Sequence, residues 1–190
     1  DIVSAGLQRQ ATSALMVPGR PNTGATLSRM GSTAGQSRAG AVAAVVVTYN
    51  RRHLLERCLA ALEAQTRPPD LMVIIDNASD DATDVFLRQR PWPIPHSTVT
   101  LPRNLGGAMG FAVGTKAAIA AGADSVWLLD DDAIAHADAL ERLLDDRTAA
   151  AAVGLRPAFM CSAVVWHDGA AAAMNIPRAA AAWNVTGLAI

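Results

Sequence analysis

The chain predicts an α/β protein with a doubly wound, mostly parallel sheet, and three observations carry that prediction. Continuous apolar runs of strand length alternate with helical patterns from residue 41 to about residue 146. The stretches AVAAVVVTYN, RRHLLERCLAALEAQ and LMVIID succeed one another within residues 41–76, which is the strand–helix–strand order of a βαβ unit. Each predicted strand also ends in polar residues, the side of such a sheet on which ligands bind.

Taken in order, residues 1–40 lack aromatic residues, are rich in Gly, Ser, Thr and Ala, and set Arg9, Arg20, Arg29 and Arg38 against Asp1 alone. That composition cannot bury a core, so a flexible, basic, disordered leader is expected there. The run from Ala41 is continuously apolar, as a strand covered on both faces must be. In the next segment Leu54, Leu55, Cys58, Leu59 and Leu62 recur at helical spacing, and Pro68-Pro69 ends the element. A second strand starts at Leu71, and a short helix is expected near Asp81 to Gln89. A third strand falls around Thr98 to Leu101, and a long helix from about Gly107 to Ala121. The strand Ser125 to Leu129 and a helix through Ala137 to Asp145 complete the alternation, and Ala158 to Trp166 reads as a further strand. The expected organisation is therefore leader 1–40, ligand-binding unit 41–156 and a partial further region 157–190.

The totals bound the function classes. The 190 residues, 51% of them hydrophobic, suffice for one domain with a sizeable core. A net charge of -1 with 17% charged residues gives no polyanion-binding surface, so no nucleic-acid partner is expected. Cys58 and Cys161 have no CxxC spacing and read as reduced, partly buried thiols, which excludes a disulfide framework. No apolar run approaches the roughly twenty residues that cross a bilayer, and no secretory signal opens the chain, so a soluble cytoplasmic protein is expected.

The strand ends carry the candidate chemistry. They present Thr48, Tyr49, Asn50 and Arg51; then Asp76, Asn77, Ala78, Ser79 and Asp80; then Arg103, Asn104, Leu105, Gly106 and Gly107; and finally Asp130, Asp131 and Asp132. Asp76 and Asn77 can bond a nucleoside, a carboxylate accepting from a base N–H or a ribose hydroxyl, or can form an Asx turn followed by a helix cap at Ser79 or Asp80. Gly106 and Gly107 at a helix start suit an anion, with Arg103 adding a charge-assisted bond to phosphate; a tight packing loop is the alternative. Three adjacent carboxylates repel one another and suit Mg²⁺ or Mn²⁺ bridging a diphosphate, or else a solvated loop.

AVVVTYNRRHLLERCLAAL, VIIDNASDDAT, RNLGGAMGFAVG and GADSVWLLDDDA, in that order, resemble the nucleotide-binding half of family 2 inverting glycosyltransferases with the Rossmann-like GT-A fold. Within that family the pattern is most similar to the bacterial galactofuranosyl- and rhamnosyltransferase branch. The resemblance implies metal-dependent transfer of a sugar from a UDP or dTDP donor to a glycan or lipid-linked acceptor, with inversion, in cell-wall or surface polysaccharide synthesis. It implies a donor site of Thr48, Tyr49, Asn50, Asp76, Asn77, Arg103, Asn104, Gly106, Gly107, Asp130 and Asp131. Asp130 and Asp132 would be the ends of the family's DxD motif and hold Mn²⁺ or Mg²⁺. Lipid-linked acceptors imply peripheral contact with the inner face of the membrane. The family's catalytic base usually lies well downstream of the DxD motif; Asp168 in WHDG, with His167 beside it, is the one candidate, and a turn between strands explains HDG equally well. A truncated chain, with the C-terminal part of the fold incomplete, is the expectation, and a non-catalytic nucleotide-sugar-binding fragment is the alternative function. GxGxxG is missing after the first strand, as is a nucleophilic carboxylate, so a Rossmann dehydrogenase and an aspartyl-phosphate phosphatase fit poorly.

Overall fold

A computed structural model of the chain describes residues 9–11, 16–18, 40–166 and 168–171. Its elements are β1 (Arg9–Ala11), β2 (Met16–Pro18), β3 (Val42–Thr48), α1 (Arg52–Glu63), β4 (Leu71–Asp76), α2 (Thr83–Gln89), β5 (His96–Thr100), α3 (Gly106–Ala120), β6 (Ser125–Asp130), α4 (Ala139–Ala152) and β7 (Val164–Trp166). The α/β alternation expected from residue 41 onwards is present.

The main sheet has the order β2-β6-β3-β4-β5. β3, β4, β5 and β6 run parallel, and β2 joins β6 antiparallel. The chain therefore moves outward from β3 through β4 to β5, then returns across β3 to place β6 on its other side. The reversal makes the β3/β6 gap the switch point of the sheet, where the connections diverge and leave a crevice beyond the strand ends.

All seven residues of β3 are buried, because helices cover both faces. The two-residue period of the strand divides them: Val42, Ala44 and Val46 join Leu55, Cys58, Leu59 and Leu62 of α1 and Leu140 and Leu143 of α4. Ala43, Val45 and Val47 face the other way with Val73, Ile75, Val126 and Ala118 of α3. On this second face α3 comes unusually close. A Cβ added to Gly110 would lie 2.6 Å from Val47 Cγ1, and one added to Gly114 would overlap Val45 Cγ1 and reach 3.1 Å from Ile75 Cγ1.

Gly114→Ala is accordingly expected to destabilise the protein. Alanine favours a helix by about 1 kcal/mol over glycine, but forcing a methyl group into stiff β-branched neighbours costs about 1–3 kcal/mol. Gly107→Ala, with nothing within 4 Å of its added Cβ, is the control. Urea midpoints should fall for Gly114→Ala and hold or rise for Gly107→Ala; an unchanged Gly114→Ala midpoint would refute the close approach.

Within residues 1–40, Arg9–Ala11 and Met16–Pro18 are strands. β2 sets Met16, Val17 and Pro18 against Trp127, Val126 and Ser125 on β6, and β1 pairs with β7. Strands of three residues have too little length to show a period, and their partners lie more than a hundred residues away, so only tertiary pairing specifies them. The strand expected over Ala158–Trp166 is confined to Val164–Trp166, while α4 runs past Asp145 through an alanine run to Ala152.

Candidate functional site

The parallel register brings the strand ends into one row: Thr48 is level with Asp76, Asp76 with Thr100, and Val47 with Asp130. Across the β3/β6 crevice Thr48 Oγ1 donates to Asp131 Oδ2 at 2.7 Å, and both residues are buried. β6 ends at Asp130, and Ala133 N–H donates to the Asp130 carbonyl at 3.1 Å, so the triplet straddles the strand end and a turn. Of the three, Asp131 is buried, Asp130 is exposed and Asp132 is part-exposed. Arg51 Nη1 lies 3.4 Å from both Asp131 Oδ1 and Asp132 Oδ2. Below the triplet, the buried Cys58 thiol faces the Asp130 carbonyl at 3.7 Å. Burial, and then the three carboxylates, push its pKa far up, so it stays a thiol.

Burial also raises the Asp131 carboxyl above the usual carboxylate range, with Asp132 adding to the effect; the Thr48 hydrogen bond, Arg51 and the Tyr49 backbone offset part of it. A carboxyl with a raised pKa in the folded state favours folding when protonated, and loses that contribution as pH climbs through its folded pKa. Asp131→Asn has no such titration. In EDTA the stability of Asp131→Asn relative to wild type should therefore be greatest near pH 7 and decline as pH falls towards 4. Urea unfolding at both values checks this, and a gap independent of pH would contradict it.

At the end of β4, Asp76 and Asn77 are buried. Asn77 N–H donates to the Thr48 carbonyl at 2.9 Å, and Asn77 Oδ1 accepts from Leu105 N–H at 2.9 Å, which ties the loop before α3 to the row. Asp76 Oδ1 accepts from Ser79 N–H at 2.9 Å. Asp76 Oδ2 is buried and has no hydrogen-bond partner among the described residues.

The loops after β3 and β4 are clamped together. Asn50 N–H donates to Ser79 Oγ at 3.0 Å, Asp80 N–H to Asn50 Oδ1 at 2.8 Å and Arg52 N–H to Asp81 Oδ2 at 2.9 Å. Partial burial acts against ionisation of Asp81, yet the bonds it accepts from Thr83 and Arg52 hold its carboxyl below the usual range. Asn50, Ala78 and Ala82 have φ of 52°, 66° and 61°, so left-handed backbone at non-glycine residues is concentrated here. The bond that Asp76 accepts comes from the N–H three residues on, one residue further than in an Asx turn. The helix cap at Ser79 or Asp80 is not found: Ala82 occupies the cap position of α2 without a side-chain bond.

Arg103, Asn104 and Leu105 form an exposed loop, and Gly106 and Gly107, also exposed, open α3. Asn104 Oδ1 accepts from Gly106 N–H at 2.8 Å, and Gly106 takes φ +80°, a conformation that glycine adopts without strain. Leu105, at the cap position of α3, makes no side-chain cap bond.

Asp168 is placed differently. It sits in an exposed turn where Trp166 N–H donates to the Ala170 carbonyl at 2.7 Å and Ala170 N–H donates to Asp168 Oδ1 at 2.9 Å. The adjoining β7 belongs to the two-stranded sheet with β1, and no described hydrogen bond or ion pair joins Asp168 to the strand-end row. His167 lies outside the described residues. Among the described residues no group of three or more His, Cys, Asp or Glu side chains is arranged to hold a metal ion, and no helix is long and apolar enough to cross a membrane. Arg51 and Ser79 stand among the strand-end residues of the sequence without a donor-site role, and Asp81 is absent from that set; their contacts here join residues distant in the chain, which no local pattern signals.

A parallel α/β sheet with carboxylates at its switch point has the architecture in which open α/β sheets bind ligands beyond their strand ends. The model of the glycosyl transferase family 2 matches residues 43–179, and the chain belongs to that family. It is 45% identical over 91 residues to galactofuranosyltransferase GlfT1 of Mycolicibacterium smegmatis (strain ATCC 700084 / mc(2)155), an alignment covering 48% of this chain and 30% of that protein. It is 48% identical over 93 residues to galactofuranosyltransferase GlfT1 of Mycobacterium tuberculosis (strain ATCC 25618 / H37Rv), with the same coverage of 48% and 30%. The chain thus spans about 30% of the length of these curated relatives. Among solved structures, S. aureus TarS 1-349 in complex with UDP superposes with a TM-score of 0.51 at 21% identity, covering 57% of this chain and 32% of that one. The same fragment in complex with UDP-GlcNAc also gives 0.51 at 21%, covering 57% and 31%. At that identity the likeness establishes the shared fold, which is the GT-A-like architecture that the motifs implied.

Proposed function

We propose that the β3/β6 crevice binds the nucleotide-diphosphate part of a sugar donor, UDP or dTDP, and that the chain is the donor-binding part of a galactofuranosyltransferase-like enzyme of cell-wall or surface polysaccharide synthesis. The observation that carries this reading is Asp76 Oδ2. An acceptor oxygen that is buried and unpartnered is costly to maintain, and at a strand end beside a ligand crevice it suits an N–H of the ligand, such as that of a pyrimidine base. The Asn50–Ser79–Asp80 clamp holds that oxygen in place by fixing the loop that bonds Asp76 Oδ1. The start of α3, which contains Gly107 and has Arg103 just before it, suits the diphosphate.

The donor set also fits a divalent cation. Mg²⁺ and Mn²⁺ take one or two carboxylates and complete their shells with phosphate oxygens and water, so Asp130 and Asp132 suffice without a full protein cage. When bound, the cation neutralises charge on the departing nucleoside diphosphate. Thr48 holds the buried Asp131, while Asp130 is exposed and Asp132 part-exposed. An acceptor hydroxyl attacking the anomeric carbon from the opposite face would invert its configuration, and a lipid-linked acceptor would draw a cytoplasmic protein to the membrane surface.

A second reading, donor binding without turnover, is favoured by one observation: the candidate base, Asp168, is engaged with Ala170 N–H in a separate turn. Calorimetric titration of UDP and dTDP, with and without Mn²⁺, tests the donor site. Metal-enhanced binding of one nucleotide is expected, and no binding of either sinks the proposal. Transfer from the matching nucleotide sugar to a lipid-linked acceptor would eliminate the second reading.

A further inference from the structure

Arg51 has a fixed backbone and a half-exposed side chain. Its carbonyl accepts from Leu54 N–H at 2.9 Å and from Leu55 N–H at 3.0 Å, closing the first turn of α1, and the N–H of the next residue, Arg52, is tied to Asp81. The side chain is 53% exposed, and one nitrogen serves two carboxylates at 3.4 Å each. Charge-assisted hydrogen bonds close to about 2.7–2.9 Å, so the guanidinium neutralises Asp131 and Asp132 without seating fully on either. Asp131 cannot follow a departing cation, since Thr48 holds its other oxygen, whereas Asp132 is part-exposed.

Resting on the donor-site reading above, we propose that Arg51 is a resident counter-ion that competes with the divalent cation for Asp132 and couples its entry to that of the diphosphate. Two cations on one carboxylate repel each other at short range. The competition weakens metal uptake by the protein alone. A nucleoside diphosphate, carrying several anionic oxygens, accepts both the metal and the displaced guanidinium and lifts the penalty. Because the coupling is reciprocal, the nucleotide tightens metal binding by the same factor by which metal tightens nucleotide binding.

Mn²⁺ titration followed by electron paramagnetic resonance, with and without saturating UDP or dTDP, tests this on wild type, Arg51→Ala, Arg51→Met and Arg51→Lys. Without nucleotide, Arg51→Ala should bind Mn²⁺ roughly threefold to tenfold more tightly than wild type, the range expected for removing two part-exposed ion pairs. The factor by which nucleotide tightens Mn²⁺ should shrink correspondingly. Arg51→Met, which retains the aliphatic stem, carries the same expectation should Arg51→Ala fold poorly, and Arg51→Lys should stay near wild type. Unchanged or weaker Mn²⁺ binding by both neutral variants, with nucleotide binding intact, overturns the counter-ion role and leaves the donor site standing. Failure of every chain, wild type included, to bind either Mn²⁺ or nucleotide overturns both.

Discussion

Asp76→Asn is expected to make the protein more stable and a poorer nucleotide binder at the same time. The substitution keeps the volume and the Oδ1 acceptor for Ser79 N–H, but it puts an amide where the carboxylate oxygen is buried without a partner. A neutral group is less costly to leave unpaired than a carboxylate, so stability should rise by about 1 kcal/mol. An amide N–H facing the N–H of a base repels it and loses a charge-assisted bond, a loss of about 2–3 kcal/mol, or thirtyfold to a hundredfold in Kd. Urea unfolding and calorimetry on one preparation give both numbers. A gain in stability with unchanged affinity would separate Asp76 from the ligand, and loss of both would make it a structural residue.

Asp130→Ala/Asp132→Ala should remove the metal-dependent part of nucleotide binding and leave the fold intact. Asp132 gives up a long contact with a half-exposed arginine, an interaction contributing at most about 1 kcal/mol to stability. Charge neutralisation of a diphosphate by a metal contributes far more, so binding in Mn²⁺ should fall to the level found in EDTA. The melting temperature should move little. A variant that still responds to Mn²⁺ would place the cation elsewhere, and one that unfolds would show the triplet to be structural.

Much of this was legible in the chain. Two-faced burial makes a parallel strand a continuous apolar run, so AVAAVVV and LMVIID announced β3 and β4. Helical spacing of Leu55, Cys58, Leu59 and Leu62 announced α1, and each of those residues is buried. The polar strand ends could be collected into one crevice because a parallel sheet carries all its carboxyl ends on the same side.

Other features depend on partners that no local pattern specifies. The pairing of β1 and β2 joins three-residue segments to strands far along the chain. The seam of Gly110 and Gly114 becomes a close contact only when Val45 and Val47 stand opposite it. The roles within the triplet depend on which carboxylate turns inward, and that was set when Thr48 came level with β6 across the switch point.

By itself the sequence determined the class of fold, the sites of the strand ends and the family, because hydrophobic period and short motifs are local properties of the chain. Only the tertiary structure decided that Asp76 holds an unpartnered oxygen, that Arg51 stands between two carboxylates and that Asp168 lies in a separate turn. Those are relations between residues distant in sequence, and burial and charge at each one exist only once the sheet has closed around them.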